Sequence, residues 1–261
     1  MKALPAFLAF MLLALPEALF PSMLQEISIG ADARAAAMGN AFAPITEGNR
    51  SVNLNPAGLA KTKGLMTGAS FNRWLLDTSL QEINLAMPAG NGAWGADIIF
   101  VNMGEFEILD DYGYPTGATA RPFTLQITGA YGLPVLSYFE NISNSVPSFL
   151  MMLGFSGKYI IRNIDNEIVQ AFSLDAGVNM EFSKKTRAAV VLKNLSVSPS
   201  VELPSALLLG LSGELFSDLQ NRLTGAISLN QQLEGGVKFN FGLEYGFSEL
   251  FILRAGYEHD P

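Results

Sequence analysis

Beyond residue 65 the chain alternates apolar and polar positions with a period of two. In Phe123 to Tyr131 one face carries Phe123, Leu125, Ile127, Gly129 and Tyr131, and the other Thr124, Gln126, Thr128 and Ala130. Phe172 to Phe182 sets Phe172, Leu174, Ala176, Val178, Met180 and Phe182 against Ser173, Asp175, Gly177, Asn179 and Glu181. Val237 to Tyr245 sets Val237, Phe239, Phe241, Leu243 and Tyr245 against Lys238, Asn240, Gly242 and Glu244. Strict alternation is the mark of a strand with one apolar face. The same reading predicts strands at Leu65 to Asn72, Leu80 to Met87, Trp94 to Val101, Phe149 to Ile161, Arg187 to Leu195, Ala206 to Leu215, Leu223 to Asn230 and Leu250 to Tyr257. Turn residues separate them, as in Ala89-Gly90-Asn91-Gly92 and Asn163-Ile164-Asp165-Asn166. The longer connections, Met103 to Arg121 and Leu133 to Pro147, are expected to be loops on one outer side, with mobile tips at Tyr112 to Thr116 and Asn144 to Pro147.

The segment ahead of these strands, Gly30 to Ala60, has another character: it is compact, small-residued and nearly uncharged. Asp32 is placed to cap a short Ala-rich turn of helix over Ala33 to Met38, and Gly39-Asn40 supplies its left-handed exit. Asn55 is placed to cap a second short helix with Pro56 in its first turn, where the missing N–H costs nothing. Such pieces suit a confined space better than water.

Composition decides what the apolar strand faces meet. Only 15% of the 261 residues are charged against 49% apolar, whereas water-facing exteriors usually run at about 25–35% charged. Residues 1–20 read as a secretory signal, with Lys2 as a minimal basic region and Ala3 to Leu15 as an apolar run too short for an ordinary spanning helix; a retained anchor is the alternative. Nothing after it is apolar for 18 residues or more, so a membrane could be crossed only by strands closed into a barrel. A soluble β-sandwich would show the same alternation, but the leader and the low charge count against it. With no Cys, neither a lipid attachment box nor a disulfide is available.

The residues Gly30, Ala31, Arg34, Ala35, Ala36, Met38, Gly39, Ala41 and Phe42, followed by Asn55, Pro56, Ala57, Gly58 and Leu59, resemble the N-terminal signature of the FadL-like outer-membrane proteins. The resemblance is nearest to the branch of the PorV and PorQ secretion-associated barrels and an uncharacterised treponemal group of FadL relatives. It covers about thirty residues, and the rest of the chain matches in style alone. It implies an all-β fold, a transmembrane antiparallel β-barrel with a small N-terminal helical hatch in its lumen. The expected division is a signal peptide at 1–20, a hatch segment at 21–64 and the barrel at 65–261. The pattern gives about 11 strands where the resemblance implies 14, and bacterial single-chain barrels have even numbers. Either strands escape the pattern or the barrel is a shortened one, since Leu250 to Glu258 is followed by His259-Asp260-Pro261 and no terminal aromatic.

Little in the chain suggests covalent chemistry. The single histidine, His259, excludes a His-based triad, an HExxH helix or a multi-histidine metal site, so no enzyme and no cofactor is expected. Asp110-Asp111 at a loop tip is a weak cation candidate, and Asn141-Ile-Ser143 and Asn194-Leu-Ser196 match glycosylation acceptors. A sequence pI near 4.7 without a basic stripe argues against nucleic acid. By the alternation, Lys158, Lys193, Lys238 and Arg254 share the inner face with Asp175, Glu181, Glu214 and Glu244. These cations are the candidates for meeting the carboxylate of a fatty acid, the alternative being a self-neutralising lining. Inner-face glycines would make room for a hatch or a ligand.

The resemblance implies an outer-membrane channel that takes up long-chain fatty acids or other hydrophobic small molecules, gated where Asp32, Gly39, Asn55, Pro56 and Ala57 hold the hatch. Its partners would be the ligand, outer-membrane lipid and the barrel assembly machinery. The other reading is a PorV-like barrel that carries or docks secreted or surface proteins.

Overall fold

The computed structural model describes residues 24–28, 32–74, 77–138, 149–165, 167–182, 185–198, 201–233, 235–248 and 250–259. The expected signal peptide and the tip at Asn144 to Pro147 lie outside the described residues.

All eleven alternating segments are strands of one antiparallel sheet. In chain order the strands are β1 (Met66–Arg73), β2 (Ser79–Ala89), β3 (Gly92–Asn102), β4 (Phe106–Leu109), β5 (Pro115–Ala120), β6 (Phe123–Tyr138), β7 (Phe149–Ile164), β8 (Glu167–Glu181), β9 (Thr186–Ser196), β10 (Ala206–Ser217), β11 (Asn221–Gln232), β12 (Val237–Phe247) and β13 (Phe251–His259). Every strand of the large sheet pairs with its sequence neighbour, except that β3 pairs with β6 across the separate hairpin β4–β5. β1 and β13 are the two edges, and among the described residues no ladder joins them.

Two expectations about the connections are corrected. The stretch Met103 to Arg121 is not simply a loop: it folds into β4–β5, whose turn is fixed by Asp110 Oδ1 accepting the backbone N–H groups of Tyr112 and Tyr114, both at 2.9 Å. Nor can both long connections lie on one side. They flank the same strand, β6, and a connection before a strand and one after it leave opposite ends of an antiparallel sheet. Part of the second is strand as well, because β6 continues through Pro134 to Tyr138. Its pairing with β7 shifts between Pro134 and Leu136, an irregularity of the kind that admits proline. The end where β1 starts is called the near end below; the end reached by the 103–122 connection is the far end.

The burial of the two faces is inverted relative to a water-soluble protein. The apolar face is bare: Ile83 is 66% exposed, Phe155 57%, Phe172 56% and Phe239 55%. The polar face is covered, with Asp97 and Thr128 at 1%, Asp175 at 2% and Lys158 at 3%. What covers it is the N-terminal segment: helix α1 (Ala33–Ala37), helix α2 (Ser51–Leu54) and short 3-10 turns at Ala43–Ile45, Gly48–Arg50 and Pro56–Lys61. The apolar core lies between the two, as in the clusters of Met38, Phe42 and Ile45 with Ala226, of Val52 and Leu59 with Ala86, Ala93 and Ala130, and of Ala43 with Ala189 and Val191.

This one segment reaches both edges of the sheet. The backbone of Gly39 lies against Tyr257 on β13, and Gly48 lies against Met66 on β1. Eleven strands laid flat would separate their edges by roughly 48 Å at about 4.8 Å per strand. The residues from 39 to 48 span at most about 33 Å fully extended, and here they are partly wound into 3-10 turns. The sheet therefore curls around the segment.

Candidate functional site

Glycines on the inner face let the segment approach. Gly132, Gly154 and Gly177 are direct cross-strand neighbours on β6, β7 and β8. A methyl group on any of them would collide with the stretch Asn55 to Leu59: on Gly132 it would stand 2.5 Å from the Pro56 carbonyl oxygen and 2.8 Å from Leu59 Cβ. The same relation recurs at Gly242 with Met38 and Gly210 with Pro44. Backbone thus packs on backbone at β6, β7, β12 and β13, and side chains of the segment fill the approach at Gly177 and Gly210.

The proposed gate residues fix this segment. Asp32 caps α1, its Oδ1 accepting the Ala35 N–H at 2.8 Å, while Oδ2 meets Arg50 Nε at 3.1 Å. That pair ties the part of the segment beside β12 and β13 to the part beside β1. Gly39, at φ +58°, and Asn40, at φ +60°, end the helix in the left-handed region. The Gly39 carbonyl then accepts from Asn240 Nδ2 at 2.6 Å. Asn55 is fully buried; its Oδ1 accepts the Ala57 N–H at 3.2 Å and its Nδ2 donates to the Ala43 carbonyl at 3.1 Å, so one side chain joins two turns. Pro56 and Ala57 supply the backbone that rests on Gly154.

The four inner cations have separate fates. Lys158 is ion-paired with Asp175 at 2.7 Å and donates to Asn194 Oδ1 at 2.8 Å, all three being buried. Arg254 meets Glu244 at 2.7 Å, and Lys238 stands 3.9 Å from Glu258. Lys193 has no hydrogen bond or ion pair among the described residues; the like charge of Lys158 acts on it at longer range, as do Asp175 and Asp97. Lys193 and Lys238 line one cavity of ≈ 140 Å³ toward the far end, with Phe42, Leu54 and Leu208 supplying apolar wall. Lys158 and Arg254 do not line it.

Sequence reasoning gave Asn194 only as part of a glycosylation acceptor, and here it is the hub of this region. The β8–β9 register shifts between Leu174 and Ala176, so that Lys193 and Asn194 together oppose Asp175. Asn194 takes φ +55°, a conformation that asparagine tolerates better than most residues. Its N–H donates to Asp175 at 2.8 Å and its Nδ2 to the Pro204 carbonyl at 3.1 Å. A bulge of this kind re-aims side chains, and a period of two cannot reveal it.

A second cavity, of ≈ 260 Å³, opens toward the near end and is strongly polar. Arg34 from α1, Arg187 from β9 and Arg222 from β11 converge on it, together with Glu47, Glu214 and Glu244. Arg34 grips Glu244 through two 2.7 Å hydrogen bonds and lies over the Phe42 ring. Glu47 meets Lys61 at 2.6 Å and Arg187 at 2.8 Å. Burial would raise its carboxyl pKa, but Lys61 and Arg187 outweigh burial and hold it below the ordinary value of 4.5. Of these residues the sequence reading had singled out Arg34 through the resemblance, and Glu214 and Glu244 through the alternation. Among the described residues no cluster of three or more metal-ligating side chains occurs, and the Asp110 oxygen that caps the β4–β5 turn is already in use.

The chain matches no protein-family model, and no curated protein matches it.

Proposed function

We propose that this chain is an outer-membrane β-barrel of FadL-like type whose N-terminal segment is a hatch in the lumen, and that it admits a hydrophobic molecule bearing a carboxylate. The inverted burial carries this reading: an apolar, bare exterior around a polar interior is the arrangement that lipid selects. The depth of the apolar band agrees. Phe172 stacks on Tyr159 toward the far end of the strands, and Phe182 meets Phe149 in a tilted pair toward the near end. Phe182 directly follows β8, ten residues after Phe172, so these two aromatics are about 33 Å apart along the strand direction, or about 25 Å in depth at a tilt of about 40°, the height of an outer-membrane apolar band.

The chamber at Lys193 is the site for the ligand's head. It joins an unpaired ammonium to the apolar flank of the hatch. Its ≈ 140 Å³ is about the size of an engineered cavity that holds benzene and below the roughly 300–1,000 Å³ of ligand pockets. A long-chain ligand therefore needs the hatch to move, which makes admission a population shift between seated and displaced hatch.

A fluorescent long-chain fatty acid titrated into the folded chain in detergent tests this, with Asn55→Ala and Lys193→Met in parallel. Saturable binding weakened by Lys193→Met supports the channel. Absence of binding by folded protein removes it. The docking reading then takes its place, favoured by the backbone-on-backbone packing that holds the hatch against β6, β7, β12 and β13.

A further inference from the structure

The near-end cavity differs from the Lys193 chamber in chemistry and in the ligand it fits. Four cations (Arg34, Lys185, Arg187 and Arg222) and three carboxylates (Glu47, Glu214 and Glu244) line it. The groups ion-paired to these add Lys61, Arg254 and Glu181, which leaves an excess of two positive charges around one space. The carboxylates are all engaged: Glu244 by two arginines, Glu47 by Lys61 and Arg187, and Glu214 by Lys185 at 3.5 Å. Arg222 is the exception among the cations. Its guanidinium has no hydrogen bond or ion pair among the described residues; Arg222 is exposed, and it stands at the mouth of the cavity on the same face of β11 as buried Ala226 and Ser228.

We infer that this vestibule binds an oxyanion of the phosphate class. The excess of two charges matches a phosphate near its dianionic form. Arg222 on β11 brings a guanidinium fork with no protein partner, Arg34 on α1 and Arg187 on β9 bring the N–H groups not used on Glu244, Glu47 and Glu181, and the Ser212 and Thr224 hydroxyls line the same space. A tetrahedral phosphate can offer an oxygen to each direction, whereas a carboxylate has two oxygens in one plane. With Arg34 on the hatch side and Arg187 and Arg222 on the wall, the bound anion also bridges hatch to barrel. This inference stands whether or not a fatty acid binds at Lys193, because the two cavities are separate.

The test is calorimetric titration of inorganic phosphate into the full chain, folded in a non-ionic detergent at constant ionic strength. Arg222→Gln is compared with Arg73→Gln, a variant at an exposed position on the far end of β1. The expected result is saturable binding, weakened at least tenfold by Arg222→Gln and unchanged by Arg73→Gln. A second arm replaces free phosphate with micelles containing phosphatidic acid or phosphatidylcholine. Binding to phosphatidic acid alone assigns the phosphate to a lipid headgroup, and binding of the inorganic ion assigns it to a soluble source. The inference is overturned if neither phosphate source binds, if acetate binds as tightly as phosphate, or if both arginine variants weaken binding alike.

Discussion

Adding one methyl group to Gly132 separates steric seating of the N-terminal segment from a generic effect of glycine in a strand. Gly132 and Gly129 lie three residues apart on β6, on opposite faces. A Cβ on Gly132 would stand 2.5 Å from the Pro56 carbonyl oxygen and 2.8 Å from Leu59 Cβ, whereas one on Gly129 would meet nothing within 4 Å. Neither glycine has a positive φ, so alanine is not strained by its backbone at either position. For an ordinary contact near 3.4 Å, the Pro56 carbonyl must retreat by about 0.9 Å. No rotamer change can supply this, because the obstacle is backbone held by the Asn55 cap. Overpacking of this kind costs about 1–3 kcal/mol, and a surface change such as Gly129→Ala stays within about 0.5 kcal/mol. Thermal unfolding in detergent, followed by tryptophan emission, gives the stability difference. Limited proteolysis reports the segment directly: Gly132→Ala should expose cleavage between Asn55 and Lys61 while the strands stay protected, and Gly154→Ala should behave alike. If Gly132→Ala and Gly129→Ala cannot be told apart in both assays, the seating argument is wrong.

Two further perturbations address the charges. Lys158→Met strands the buried Asp175 carboxylate and should cost roughly 3 kcal/mol, the lower part of the range for breaking a buried pair, because Asn194 still donates its N–H to Asp175. Adding Asp175→Asn should recover most of that loss in urea unfolding, and equal loss in single and double variants would show that the pair is not desolvated. Glu47, held below 4.5 by Lys61 and Arg187, contributes stability that is fully present above its unfolded value and lost as pH falls through the lower folded value. The stability difference between the wild type and Glu47→Gln should therefore be constant from pH 7 to about pH 5 and shrink below 4.5; a difference that persists undiminished to pH 3 would remove the ion-pair explanation.

Strand existence was legible because each wall residue faces one of two unlike surroundings, and a period of two records that choice directly. Both caps were legible for a similar reason: Asp32 and Asn55 act on backbone groups two or three residues away. Contacts set by long-range register were not. Glu47 and Arg187 carried no local signal, and they meet only because the 3-10 turns place Glu47 beside the start of β9. Lys193 was assigned to the inner face by alternation although the bulge at Asn194 interrupts it, so that face was reached without the feature that aims the side chain. The pairing of Lys158 and Arg254 with Asp175 and Glu244 followed the self-neutralising alternative rather than the ligand-binding one. The β4–β5 hairpin was missed because its strands are short and Pro115 and Gly117 read as loop chemistry.

The polar interior and the glycine-lined approach have one physical origin. In the membrane setting proposed above, a wall whose outer side faces lipid keeps its polar side chains inward, where each needs a partner. A lumen filled with water supplies partners freely but leaves a pore. Here the segment supplies many of them instead: the Pro44 carbonyl accepts from Asn179, the Gly39 carbonyl from Asn240, and Arg34 donates to Glu244. The two carbonyl bonds require the segment's backbone to come within about 3 Å of side chains on the wall, and the glycines permit that approach. Displacing the segment need not abolish these bonds, since incoming water can replace them at modest net cost per bond; what is lost outright is the apolar contact of Met38, Phe42, Val52 and Leu59. A ligand that covers those four side chains as it enters would offset that loss. On the proposed channel reading, an apolar molecule is therefore a better partner for the segment than a polar one of the same size.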